Sequence, residues 1–266
     1  MKIGESIEHG GVPNGPDNEL LPSDELIQKV GIGPRNGQEF IGFGDYIFES
    51  NIRTDAKLQP NEKLLDLGCG LGQVARPLTK YLSGGGRYEG LDVNSDAIRW
   101  CKEHYARFPN FNFQLADLYN STYNPQGAYK ASEYKFPYGS GAFDVVFLRS
   151  VFTHLLPDEV RNYLGEIARV TKPGGRCVIT YFLLNAEALR SIERGLIKSL
   201  TFLYEYDSVC RIENRESPGD AVGLSESFVR ELYDQHGMSI TRIDYGQWCR
   251  LKFLEYDQDT IIAVKQ

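Results

Sequence analysis

No apolar run in this 266-residue chain reaches the roughly 18 residues that a membrane-spanning helix needs, so no membrane partner is expected. The opening MKIGESIEHGG also lacks the apolar stretch of a secretory signal. The five cysteines (69, 101, 177, 210 and 249) are scattered and form no C-x-x-C pair, which argues against a zinc site and against a disulfide framework. A reducing, cytoplasmic setting is therefore expected. Basic runs are missing too: the net charge is −7, and the cationic stripe that meets nucleic-acid phosphates is not visible. There is no H-x-x-H pair or carboxylate cluster, so no metal site is expected. No internal repeat or low-complexity tract is present. The sequence leaves the oligomeric state open.

What is present is a strand, a glycine turn and a second strand ending in an acid. Leu64 to Gly72 reads LLDLGCGLG, and the later GLDVN contains Asp92. Glycine allows close backbone approach to a ligand and dihedrals that other residues avoid. A carboxylate at the end of the next strand can accept hydrogen bonds from ribose hydroxyls. The pattern is built for a nucleoside-containing ligand. A dinucleotide site wants G-x-G-x-x-G, but the glycines here are Gly68, Gly70 and Gly72, and Gln73 stands where the last glycine would be. Asp66, two residues before the turn, would repel a pyrophosphate and attract an ammonium group. No G-K-[ST] follows the turn, so a P-loop is not expected.

The D-x-G-x-G-x-G turn and the following acid resemble the first two motifs of the class I S-adenosylmethionine (SAM)-dependent methyltransferases. Ala116-Asp117-Leu118 resembles that family's acidic motif beside the adenine. FDVVFL (143–148) resembles its fourth strand. EIARVTKPGGRCVI (166–179) resembles its post-core helix, turn and fifth strand. The ordered resemblance runs over about residues 60–184. It implies an α/β, Rossmann-like, doubly wound seven-stranded sheet with helices on both faces and an antiparallel last strand.

The alternation of periods agrees with such a sheet. Residues 1 to about 22 read as an arm, followed by a short helix over 24–30 capped by Ser23, a glycine-dense stretch, and a helix over 46–57. Strands are expected at 63–67, 87–92, 112–116, 143–148, 177–183, 239–245 and 259–264. Helices are expected at 73–82, 95–108, 157–170 and 225–235, with Pro157 opening its helix and Gly237 closing the last one. The organisation is thus an N-terminal arm and helical cap (1–57) and a core (58–266) with an inserted lid at about 185–223. That lid is expected to hold a helix (187–199) and a hairpin (201–212). Residues 117–142 form a second long connection, rich in aromatics. Both leave the sheet where ligands bind in open α/β folds.

The expected cofactor site comprises Asp66 for the methionine amino group, the turn Gly68, Cys69, Gly70 and Gly72, and Asp92 with Val93 at the ribose. Ala116, Asp117 and Leu118 lie at the adenine, and Arg149 and Ser150 at the methionine moiety. Several have a structural alternative: a tight turn for the glycines, backbone capping for Asp66 and Asp117, and apolar filling for Cys69. His154, in SVFTHLLPDEV, is the candidate general base, with a packing or carbonyl-bonding role as its alternative. Tyr46, Tyr181, Asn185, Trp248 and Arg250 are candidate acceptor-pocket residues. The expected activity is methyl transfer from SAM to an oxygen or nitrogen of a small-molecule acceptor, such as a metabolite, sugar or natural product. A non-catalytic SAM-binding protein of the same fold and a dinucleotide oxidoreductase are the alternatives.

Overall fold

The computed structural model describes residues 20–31, 33–120, 124–197, 200–249 and 258–266. Its central sheet is built from β1 (Lys63–Leu67), β2 (Arg87–Asp92), β3 (Phe111–Leu115), β4 (Phe143–Leu148), β5 (Thr171–Tyr181), β10 (Met238–Asp244) and β11 (Asp259–Lys265), in the order β10-β11-β5-β4-β1-β2-β3. β1 pairs in parallel with both β2 and β4. β11 runs antiparallel to its neighbours β5 and β10. The strand order reverses between β1 and β4, which is where ligands bind in such sheets.

The apolar runs LLDL and FDVVFL are buried because both sheet faces are covered. One face packs on α3 (Ala75–Tyr81) and α4 (Ser95–His104) through Leu78, Ile98 and Cys101. The other packs on α5 (Pro157–Val170) and α7 (Glu226–Gln235) through Leu164, Ile167, Phe228 and Leu232. Pro157 occupies the first turn of α5, and the Leu156 amide donates to the Glu159 carboxylate at 2.7 Å. Gly237, at φ 64°, follows α7 in the left-handed region that favours glycine.

The N-terminal segment differs from expectation. Helix α1 (Asp24–Val30) is capped by Ser23 as predicted. The glycine-dense stretch, however, is itself helical: α2 (Gly37–Ile47), capped by Asn36, continues into a π-helical segment, Phe48–Asp55. Glycine disfavours a helix interior, but packing overrides propensity here. A Cβ on Gly44 would lie 2.5 Å from the Gln73 carbonyl oxygen, so only glycine lets α2 approach the turn after β1 this closely.

A smaller sheet follows β5. It contains β6 (Leu183–Leu184), β7 (Tyr204–Asp207), β8 (Cys210–Ile212) and β9 (Val222–Ser225), ordered β6-β9-β8-β7, with helix α6 (Ala186–Glu193) beside it. Its own apolar cluster includes Phe182, Leu184, Ile192, Phe202 and Trp248. The 117–142 connection is pinned to α5. The Phe136 amide donates to Glu166, Arg169 donates to the Phe136 and Tyr138 carbonyls, and Asn162 donates to the Ala131 and Tyr134 carbonyls. Phe136 is thereby buried, while Tyr119 and Tyr129 remain exposed; Tyr123 lies outside the described residues. No helix among the described residues is long and apolar enough to cross a membrane.

Candidate cofactor and acceptor site

The crevice between the carboxyl ends of β1 and β4 gathers most of the sequence-expected residues. Gly68, Gly70 and Gly72 all have positive φ (83°, 50° and 71°), so the turn requires glycine at each alternate position. The Gly68 and Cys69 amides donate to the Leu91 carbonyl, fastening the turn to β2. Asp92 completes the arrangement: one carboxylate oxygen accepts from the Gly70 amide at 2.7 Å and the other from the Asn94 amide at 2.8 Å. Each oxygen retains capacity for a second donor. Asn94 in turn caps α4, accepting from the Asp96 and Ala97 amides. Val93 packs partly buried against the core.

Asp66 is buried and accepts from the Tyr88 hydroxyl at 2.7 Å. Burial, together with the negative charge of Asp92, pushes its carboxyl up to about 7, against the lowering effect of Tyr88. Burial likewise raises the carboxyl of Asp92 and the thiols of Cys69 and Cys101. The groups that act on Asp66 and Asp92 are an acid, the Tyr88 hydroxyl and backbone amides; among the described residues no cation does. Cys69 packs against Gly90, whose added Cβ would come within 2.8 Å of its sulfur, in keeping with apolar filling.

At the far end of β2 and β3, the Ala116 amide donates to the Asp92 carbonyl, Leu118 is buried, and the exposed Asp117 carboxylate accepts from Asn124 at 3.3 Å. Across the crevice, the Arg149 guanidinium lies 5.0 Å from the centre of the Phe43 ring, joining β4 to α2. Ser150 has φ 54°, an uncommon conformation for a residue with a side chain; such strain clusters at functional sites. Its amide donates to Thr180 at 2.8 Å, and its hydroxyl pairs with the Gln258 carboxamide. Val151 closes over Gly68, where an added Cβ would meet its methyl at 2.5 Å.

His154 ends the short helical turn Phe152–His154 and is exposed. Its Nδ1 lies 2.9 Å from the Gly219 carbonyl oxygen in the inserted segment. A carbonyl only accepts, so Nδ1 carries the proton and, in the neutral ring, Nε2 keeps the free lone pair.

The expected acceptor residues are not brought together in one open pocket. Tyr46 is 61% exposed on α2. Tyr181 is buried, edge-on to Phe152, with its hydroxyl 3.0 Å from that of Tyr233. Asn185 caps α6, accepting from the Glu187 and Ala188 amides. Trp248 is buried, and its indole N–H donates to Asp259 at 2.7 Å. Arg250 lies outside the described residues. Residues not singled out from the sequence also matter here: Tyr88 beneath Asp66, Phe43 under Arg149, Thr180 and Gln258 around Ser150, and Asp259. None of these carried a signal in the sequence that sets it apart. A separate open groove of about 560 Å³ between the α5 and α7 surfaces, bordered by Asp158, Arg161 and His236, shares no residue with this crevice.

A doubly wound sheet with a glycine turn and a following acid at its topological switch point defines a nucleoside-cofactor α/β protein. Residues 65–179 match the methyltransferase domain family. That match runs from β1 into β5, so the part of the chain that builds the crevice is similar to that family. Among curated relatives, it is 32% identical over 114 residues to a phthiotriol/phenolphthiotriol dimycocerosates methyltransferase of Mycobacterium tuberculosis, an alignment covering 43% of this chain and 35% of that protein. It is 27% identical over 186 residues to a ubiquinone/menaquinone biosynthesis C-methyltransferase of Wigglesworthia glossinidia brevipalpis, covering 68% of each. The chain thus spans about a third of the length of the first of these. The fold is shared with the magnesium protoporphyrin IX methyltransferase of Synechocystis PCC 6803, solved with bound SAH, at a TM-score of 0.55 and 15% identity, covering 91% of this chain and 94% of that one.

Proposed function

We propose that this chain is a SAM-dependent methyltransferase acting on an oxygen or nitrogen of a small-molecule acceptor. The observation that carries the reading is the crevice itself: a positive-φ glycine turn locked to Asp92, beside a buried acid cluster whose described partners include no cation. Such a cluster suits a cationic ligand and opposes a pyrophosphate. Bound SAM supplies a methyl group made electrophilic by its sulfonium.

The residues present fit that group. Gly68, Gly70 and Gly72 give close backbone approach, and Asp92 has acceptor capacity left for ribose hydroxyls. Asp66 faces the demand of an ammonium group, and Asp117 is exposed at the adenine end. The protein's task is then orientation and exclusion of water. His154 serves the acceptor: Gly219 holds Nδ1–H, so Nε2 is available to take a proton from a hydroxyl or ammonium acceptor. The inserted segment and the 117–142 connection act as walls, and the net charge of −7 disfavours a nucleic-acid acceptor.

The test is a screen of labelled SAM against metabolite, glycan and quinone-like acceptors, run with wild type and His154→Ala. The reading expects label on an oxygen or nitrogen, with His154→Ala lowering turnover about 100-fold while SAM affinity stays within about threefold. Label on carbon would overturn the choice of acceptor atom, and equal turnover in the variant at every pH would dismiss His154 as a base.

A further inference from the structure

We propose that Asp259 is the positioning residue of the acceptor wall: its ionised carboxylate ties the start of the small sheet and residues 246–248 to the sheet edge where the acceptor must sit. This inference rests on the methyltransferase reading only for what the wall encloses.

The geometry is specific. Asp259 opens β11 and pairs in register with Tyr181, the last residue of β5. Because β11 is antiparallel to β5, its first residue lies at the carboxyl edge of the parallel strands, with the glycine turn and Ser150. The side chain is 2% exposed and receives three N–H donors from two other segments. Oδ2 accepts from the Leu183 amide at 2.7 Å and from the Trp248 indole at 2.7 Å; Oδ1 accepts from the Gly246 amide at 2.9 Å. Leu183 begins the small sheet. Trp248 packs at 5.3 Å between ring centres on both Phe182 and Phe202, inside the apolar cluster of the inserted segment. The neighbouring residue, Gln258, holds the strained Ser150 hydroxyl at the crevice. Two consecutive residues therefore couple the crevice outward to Ser150 and inward to the inserted segment.

Among the described residues this buried carboxylate is matched by three N–H donors and no cation, so its charge organises those donors. Protonation would convert one oxygen into a hydroxyl donor and leave at least one of the three N–H groups without a full acceptor. Burial raises this carboxyl to about 6, against the lowering effect of Leu183, Trp248 and Gly246. Among the described residues, the charged group acting on it from the packed elements is Glu226 at the start of α7, itself bonded to Tyr245 and Arg230.

The experiment uses the full chain in a Trp100→Phe background. That change removes the one other tryptophan, so the emission comes from Trp248 alone. Trp248 emission should titrate with a midpoint between about pH 5 and 7. Asp259→Asn should abolish that titration and leave SAH affinity near pH 8 within about twofold. For the acceptor returned by the screen, Asp259→Asn should raise KM about tenfold and leave kcat within about threefold. Flat Trp248 emission in the parent, a titration that survives in Asp259→Asn, or an unchanged acceptor KM would overturn the proposal. Should Asp259→Asn fail to fold, Trp248→Phe removes one donor and keeps the carboxylate. Trypsin should then cut the inserted segment about fivefold faster than in wild type, as expected when local opening becomes easier. Unchanged cutting would overturn the proposal. Failure of SAH to bind wild type would instead remove the cofactor reading and leave the Trp248 titration standing.

Discussion

Asp66 and Asp92 differ in the partners they hold. Asp92 is committed to the backbone of the turn it serves, so its loss affects both ligand and scaffold. Asp92→Ala should weaken SAH binding about tenfold or more, the scale of a lost charge-assisted hydrogen bond, as read by calorimetry. Unchanged affinity would remove the ribose assignment. Asp66 has a different signature. Its carboxyl is raised from 3.8 to about 7 by burial, so the folded state favours the neutral form. The stability this gives is fully present below about pH 3.8 and is lost as pH rises through about 7. Asp66→Asn, which keeps an acceptor for the Tyr88 hydroxyl, should flatten the fall in Tm between those pH values and raise Tm near pH 8. A Tm at pH 8 below that of wild type would contradict the assignment of an unpaired buried acid.

At the scale of elements, the helical cap explains why the glycine pattern departs from the dinucleotide form. Gln73 occupies the place of the third glycine. Its side-chain amide donates to the Phe40 carbonyl at 3.0 Å, and its own carbonyl receives Gly44 of α2. Arg76 adds an ion pair to Asp45. The cap and the glycine turn are thus one packed unit. Gly44→Val would drive a branched side chain into the Gln73 carbonyl and should cost on the order of 1–3 kcal/mol by urea unfolding. SAH affinity should fall with it. A variant of native stability and affinity would show that the cap is not coupled to the turn. The short helix ending at His154 plays the matching part on the other side, holding Gly219 through Nδ1.

For the whole molecule, the sheet was legible because its strands are written as apolar runs punctuated by turns. FDVVFL and LLDL can hardly be read otherwise, and the last strand's direction came from the family resemblance rather than from periodicity. The glycine turn was legible as a turn because positive φ at alternate positions calls for glycine. The acceptor side was not. Asn185 looks like a pocket amide but caps a helix, and Tyr181 spends its hydroxyl on Tyr233 in the core. Most of helix α2 reads in the sequence only as a glycine-dense stretch, because its reason for glycine, the approach of Gln73, lies more than twenty residues downstream. Asp259 was invisible because a lone acid at a strand start gives no hint of the three donors that converge on it. Local pattern reports burial and turns; it does not report which distant amide a side chain will meet. The central claim is therefore tested most directly by a crystal structure of the chain with SAH. The account predicts the ligand across the β1–β4 crevice, its ribose hydroxyls on Asp92 and its backbone contacts along Gly68–Gly72. Density for SAH elsewhere, with that crevice bare, would contradict it.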